Sequence, residues 1–283
     1  MRRRAARMVV TGLFAAVATA SLAPRAAFAA QQALRPRAVL LQVRPRIGDT
    51  LHMRLDLRVE TVGTTRVGTA DTSMAVTTSL RVHSRTVVQR SDPQSTIVLA
   101  LTDSVAMTGR GAPADANRWV PGRPAQLRIF PDGATETLDP GEGAGEGALA
   151  HMPATLPRKP VAVGDSWTHE MQLPSAGGAT TPSPGAVRAV FHLDSVSRTG
   201  DIAYITVKGS VARDGLAPAP DENVRFSSTG SVDGSVVVDR RRGWVTDSRM
   251  TVVVRSTFAP PPGSDGEVMH FRMKITQRLR AVR

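Results

Sequence analysis

Apolar and polar residues alternate with period two over most of the chain after residue 50. From Thr50 to Glu60 the apolar positions are Leu51, Met53, Leu55, Leu57 and Val59, and His52, Arg54, Asp56 and Arg58 stand between them. Successive strand side chains point to opposite faces, so this segment predicts a strand with one dry and one wet face. The pattern returns with Met74, Val76, Leu80 and Val82 against Arg81, His83 and Arg85, and again along Ile97, Leu99, Leu101, Val105 and Met107. It is clearest in the last strand. There Met269, Phe271, Met273, Ile275 and Leu279 share one face, and His270, Arg272, Lys274, Arg278 and Arg280 share the other.

Turn chemistry separates these segments. Pro131-Asp132-Gly133 joins Leu127–Phe130 to Thr135–Leu138, and Thr199-Gly200-Asp201 stands between Val187–Val196 and Ile202–Val211. Asp239 to Gly243 links Val232–Val238 to Trp244–Phe258, with Gly243 suited to the left-handed position of a short hairpin loop. Short turns can join only antiparallel strands, so the expected fold is all-β: antiparallel sheets of about twelve strands in a curved half-barrel or β-sandwich. One-sided alternation means that each sheet packs on one face.

Residues 140–163, rich in Gly, Ala and Pro, break the pattern and predict a strap between an N-terminal β half (31–139) and a C-terminal β half (164–283). Gly147–Thr155 has the composition for one or two helical turns, limited by Pro153. Pro174–Gly185 and Ala259–Gly266 read as loops. The two halves share a motif: Ile47-Gly48-Asp49-Thr50-Leu51 resembles Val163-Gly164-Asp165-Ser166-Trp167. Gly-Asp predicts a turn into a strand, with the carboxylate capping backbone amides. Gly48, Asp49, Gly164, Asp165 and Trp167, with Asp239 and Gly243, are therefore read as structural corner residues.

The first thirty residues change the picture. Arg2, Arg3, Arg4 and Arg7 precede an apolar run from Met8 to Leu22, and Ala27-Phe28-Ala29 follows. That order predicts a secretory leader over residues 1–30, removed near Ala29/Ala30, and a periplasmic or extracellular mature chain. The run is shorter than the roughly twenty residues of a spanning helix, so the protein is not expected to be integral to a membrane. A spanning β-barrel would carry aromatic girdles, and aromatics make up only 4% of the chain. There is no cysteine, which excludes disulfides, thiolate metal sites and a thiol nucleophile. The formal net charge is +12, and Arg2, Arg3, Arg4, Arg7 and Arg25 belong to the leader. The mature chain stays basic, which suits a solvated outer face or contact with an anionic envelope surface. Nucleic-acid binding is not expected, because single-strand binders interleave aromatics with basic residues.

Catalytic patterns are missing. In Gly230-Ser231-Val232-Asp233-Gly234 the Ser is out of place for a nucleophile elbow. His169-Glu170 opens like a zinc-protease motif, but Leu173 stands where the second histidine belongs. The glycine-dense run Gly141–Gly147 carries Glu142 and Glu146, which repel phosphate. None of the six histidines pair at metal-ligand spacing, and His52, His83, His192 and His270 fall on wet faces. Asp49, Asp165 and Asp194 are the carboxylates that an acid–base pair could draw on, without a spacing that favours it. No catalytic residue, metal or cofactor is predicted.

The dry face is rich in methionine: Met53, Met74, Met107, Met171, Met250, Met269 and Met273. Methionine adapts to variable apolar surfaces, and a curved sheet lined with it suits an acyl chain; an ordinary core is the plainer reading. The candidate lining is Met53, Leu55, Met74, Val76, Met171, Phe191, Phe226, Met250, Met269, Phe271 and Met273. Two segments also carry a resemblance. Leu156-Pro157-Arg158-Lys159-Pro160-Val161 with the corner Gly164–Trp167 resembles uncharacterised exported bacterial β proteins, and so does Asp239-x-x-x-Gly243 before a strand. The layout is similar to lipoprotein-carrier-like half-barrels, and that similarity implies a curved sheet holding acyl chains. The expected function is an exported, non-enzymatic β protein that binds a lipid-like or cell-envelope ligand. A structural or partner-docking role for the basic face and a hydrolase with an unrecognised site are the alternatives.

Overall fold

Alternation that leaves one side of every strand apolar needs a partner for that side. The computed structural model shows how far it is met. It describes residues 38–67, 70–109, 124–138, 155–172, 185–218, 223–260 and 267–282. The strands are β1 (Thr50–Val67), β2 (Ala70–Ser91), β3 (Thr96–Gly109), β4 (Ala125–Ile129), β5 (Thr135–Thr137), β6 (Ser166–Gln172), β7 (Gly185–Val196), β8 (Ile202–Pro218), β9 (Asn223–Asp239), β10 (Trp244–Ala259) and β11 (Met269–Val282). They form one 11-stranded sheet in the order β5-β4-β3-β2-β1-β11-β10-β9-β8-β7-β6, and every pairing is antiparallel.

The all-β, antiparallel expectation of about twelve strands holds: the described residues form one sheet of 11 strands, so of the two layouts expected it is the single curved sheet and not the sandwich. The first and last strands lie side by side, with Met53 opposite Ala281 and Val59 opposite Ile275, so one sheet runs through both halves. Residues 37–283 form one compact unit. β5 and β6 end the order, and among the described residues no pairing closes the sheet into a barrel. The expected helical turns at 147–154 and the loop residues 174–184 and 261–266 lie outside the described residues.

Several strands outrun the alternation that predicted them. β1 continues to Val67 and β2 begins at Ala70, through Thr- and Ser-rich sequence with little apolar contrast. β-Branched Thr suits a strand, and the ladder supplies the hydrogen bonds. Bulges also reset parity. Asp103 is an extra residue of β3, since Ser84 pairs with Thr102 but His83 pairs with Ser104. Ile97, Leu99 and Leu101 therefore stand on the opposite side from Val105 and Met107, although the sequence put all five on one face.

The sheet curls at one end. If flat, 11 strands at about 4.8 Å spacing would hold the edges roughly 48 Å apart. Yet the dipeptide Thr155-Leu156 reaches both edges. Its two N–H groups donate to the Asp132 carbonyl in the β4–β5 turn, each at 2.9 Å, and Trp167 Nε1 of β6 donates to the Thr155 carbonyl at 3.1 Å. A second segment crosses the same end. Val39 pairs with Val161, Val43 N donates to Pro131 O at 2.9 Å, and Arg44 N donates to Gly243 O at 2.9 Å. Leu41, Val43, Leu156 and Val161 of these segments are buried in one core with Leu51, Met53, Val88, Val98, Phe191, Ile205, Val236 and Trp244. This plugged end is the packed core of the molecule.

The two Gly-Asp corners have the same construction. Asp49 Oδ2 accepts Arg46 N at 3.0 Å, and Asp165 Oδ2 accepts Ala162 N at 2.8 Å. Gly48 N donates to Val88 O, and Val88 N donates back to Asp49 O; Gly164, Leu193 and Asp165 repeat that exchange. Both glycines have positive φ, 86° and 97°, where a side chain is strained. Trp167, grouped with the corner by sequence, is a strand residue of β6 that stacks on Phe191.

Candidate functional site

The ladder registers place the candidate lining residues on one face. Met53 and Leu55 are in line with Ala281 and Leu279 on β11, and Phe271 faces Gly63 on β1, which faces Met74 on β2. Met269 pairs with Phe258 and Phe258 with Phe226; Met250, Val76 and Met273 keep the same parity. Met171 stands opposite Val187 in the ladder. Along this face the surroundings change from one end to the other. Met53 and Phe191, expected to line a ligand site, are closed-end core residues surrounded by protein. Leu55, Val76, Phe226, Met250, Phe271 and Met273 are half-buried, while Met74 is 65% and Met269 40% exposed.

The open end has its own aromatic arrangement. Phe226 stacks on Phe258 at 5.8 Å between centroids, and Phe258 meets Phe271 edge-on at 5.4 Å. The Phe271 ring lies across Gly63, where a Cβ would come within 2.9 Å of it. Arg213 enters the dry face from β8, its guanidinium carbon 5.3 Å from the Phe226 centroid. Alternation did not mark Arg213, because Val211-Ala212-Arg213-Asp214 reads as the fading of a strand. His169 was missed likewise. It meets Phe191 edge-on and its Nε2 lies 3.2 Å from the Leu156 carbonyl, so that nitrogen carries the proton.

On the wet face, like charges stand opposite each other: Arg54 and Arg280, Arg278 and Arg249, Arg272 and Arg255. Asp56 and Asp247 offset part of this repulsion. Asp56 accepts from Arg54 at 2.8 Å and from Arg81 at 2.9 Å, and Asp247 accepts from Arg278 at 3.3 Å. The Arg54 hydrogen bond above all, and Arg81 with it, holds the Asp56 carboxyl below the usual carboxylate range. A depressed folded pKa stabilises above the ordinary value of about 3.9, and the gain is lost as pH falls through the folded value. Asp56→Asn is therefore expected to cost up to ~1 kcal/mol near neutral pH and nothing in strong acid. Urea unfolding at pH 7 and pH 2.5 checks this; an equal loss at both would remove the ionic explanation.

One polar cluster has the outline of a nucleophilic triad. Ser166 Oγ is 2.9 Å from His192 Nδ1, and His192 Nε2 is 3.9 Å from Asp194 Oδ1. The second distance is beyond a hydrogen bond, and Thr206 Oγ1 donates to the other Asp194 oxygen at 2.7 Å. His192 and Asp194 are about two-fifths exposed, so the cluster lacks the water-excluded setting in which such groups work. Asp49 and Asp165 are each engaged in their own corner. His52, His83 and His270 are spread over the wet faces of β1, β2 and β11, and among the described residues no three His, Cys, Asp or Glu side chains gather as a metal site. A hollow of about 480 Å³ at the plugged end is lined by Leu40, Gln42, Phe130 and Arg158 among others, away from the methionine-rich face.

Fold and site together define a single curled antiparallel sheet with one apolar face, plugged at one end and uncovered by described residues at the other. Residues 141–245 match the model of a family of unknown function, DUF6263. The match takes in the second Gly-Asp corner and β6 to β9, and ends just inside β10. No curated protein matches the chain.

Proposed function

We propose that this is an exported, non-enzymatic protein whose open-end dry face binds a lipid-like ligand. One observation supports the reading most: a single apolar face runs through the sheet, yet among the described residues only its plugged end is packed, which leaves Met74, Met269 and the Phe226–Phe258–Phe271 group partly exposed. Contiguous exposed apolar surface of this kind marks an interaction site. Flexible methionines around rigid rings suit an acyl chain. The leader pattern of residues 1–30 supports export, with cleavage near Ala29/Ala30.

Native mass spectrometry of gently purified protein, followed by organic extraction, is the test. A stoichiometric lipid mass is expected. A bare protein that takes up no added lipid would end this reading. The double variant Met74→Ala/Met269→Ala is expected to weaken lipid retention several-fold while lowering stability by only about 1 kcal/mol, because Met74 is 65% and Met269 40% exposed. Equal loss of retention and stability would return these residues to an ordinary core.

The wet face supports a second reading, a partner-docking envelope protein. Facing arginines across β1, β11 and β10, with few acids between them, suit an anionic glycan or surface. Salt-sensitive retention on an anionic polysaccharide, lost in Arg272→Ser/Lys274→Ser, would favour it.

A further inference from the structure

Arg213 is a charged side chain whose ladder neighbours on the dry face are apolar or, at Ser228 and Ser256, hydrogen-bonded to each other and uncharged. In the ladder it pairs with Gly185 on β7 and Ser228 on β9, and its same-face neighbours Val187, Val211, Gly215 and Phe226 are uncharged. Its stem lies across Gly185, where a Cβ would fall 2.7 Å from Arg213 Cγ. Among the described residues its buried Nε has no hydrogen-bond partner and no acid is ion-paired with it. The buried Nε loses hydration that the Phe226 ring returns only in part, and the rest of the half-buried guanidinium is left to face the dry side. An anionic oxygen is what five forked N–H donors bind best.

The charge also stands at one end of the apolar strip. From Arg213 on β8 the ring contacts run through Phe226, Phe258 and Phe271 on β9, β10 and β11, beside the mutually hydrogen-bonded Ser228 and Ser256, then past Gly63 on β1 to Met74 on β2. Five strand spacings of about 4.8 Å make it roughly 24 Å long, the reach of a long acyl chain. Crossing the strands, the strip meets side chains of one face only, and Gly63 keeps the path shallow beside the Phe271 ring.

We propose that the open end takes a long-chain amphiphile with an anionic headgroup, a carboxylate or phosphate held by Arg213, and an acyl chain laid over the three phenylalanines toward Met74. The inference rests on the lipid-binding reading above and adds headgroup selection to it. Polarity of binding follows from the charge: the head sits at β8, the chain end at β2.

The test compares oleate with oleyl alcohol, which has the same chain without the charge, by titration of the purified exported protein below their aggregation concentrations. Oleate is expected to bind at least tenfold more tightly. Arg213→Gln should remove that difference by weakening oleate alone, and Arg213→Lys should keep much of it. Equal binding of the two ligands by the unaltered protein would overturn headgroup selection and leave the apolar site standing. Binding of neither would overturn the lipid reading itself. Because the comparison of ligands needs no variant, a folding defect in Arg213→Gln does not decide the outcome. Oleate preference that persists in a folded Arg213→Gln would assign the headgroup to another cation and refute this placement.

Discussion

Phe191→Ala is expected to lower the unfolding free energy by about 3–5 kcal/mol, the range for emptying a fully buried aromatic site. Phe191 is 2% exposed. Trp167 stacks on it at 5.7 Å and His169 meets its edge at 5.6 Å. Those two side chains also hold the crossing segment, through the carbonyls of Thr155 and Leu156. Removing the ring therefore leaves a cavity and loosens the link between β6 and the plug. Phe226→Ala is the control. Its ring is half-buried at the open end, and the expected loss is about 1 kcal/mol. Urea unfolding should show a shifted midpoint at unchanged slope for Phe191→Ala. Equal losses for the two variants would mean that the open end is as tightly packed as the plugged end.

The second large effect is expected at Gly243. Its φ is +68°, and the Arg44 backbone runs so close that a Cβ there would collide with the Arg44 carbonyl. Gly243→Ala is expected to cost about 1–3 kcal/mol through backbone strain alone, and the collision adds to it. The segment must then move off the β9–β10 turn and give up the bond from Arg44 N to Gly243 O. Limited trypsin digestion should cut after Arg46 much faster in the variant. Gly48→Ala separates the two causes. Gly48 also has positive φ, but nothing lies within 4 Å of the added carbon, so only the conformational cost of about 1 kcal/mol remains. If Gly243→Ala is no worse than Gly48→Ala, the crossing segment is not pressed against that turn.

Much of the dry face was legible because strand parity is a local property. Once Met269, Phe271 and Met273 fall on one side of β11, hydrogen-bonded pairing carries that side to Gly63, Met74 and Phe258. The turns were legible for a similar reason: Gly48, Gly133, Gly164, Gly200 and Gly243 mark left-handed positions that few other residues tolerate. Legibility stopped where contrast stopped. The Thr- and Ser-rich end of β1 and start of β2 carry little apolar contrast, although they complete long ladders. It stopped also at bulges, where Asp103 and Asp194 each insert one residue and turn the pattern over.

The sequence by itself determined antiparallel strands with one apolar side, the turns between them and the two matching Gly-Asp corners, since each depends on residues close together in the chain. Only the tertiary structure decided that there is one sheet, that β1 lies beside β11, and that the described residues fill the apolar face at one end and leave it uncovered at the other. Those outcomes depend on contacts between residues far apart, such as Val39 with Val161 and Arg44 with Gly243. The same long-range packing puts Arg213, which has no acidic partner among the described residues, at the head of an aromatic strip, a juxtaposition that no spacing in the sequence encodes.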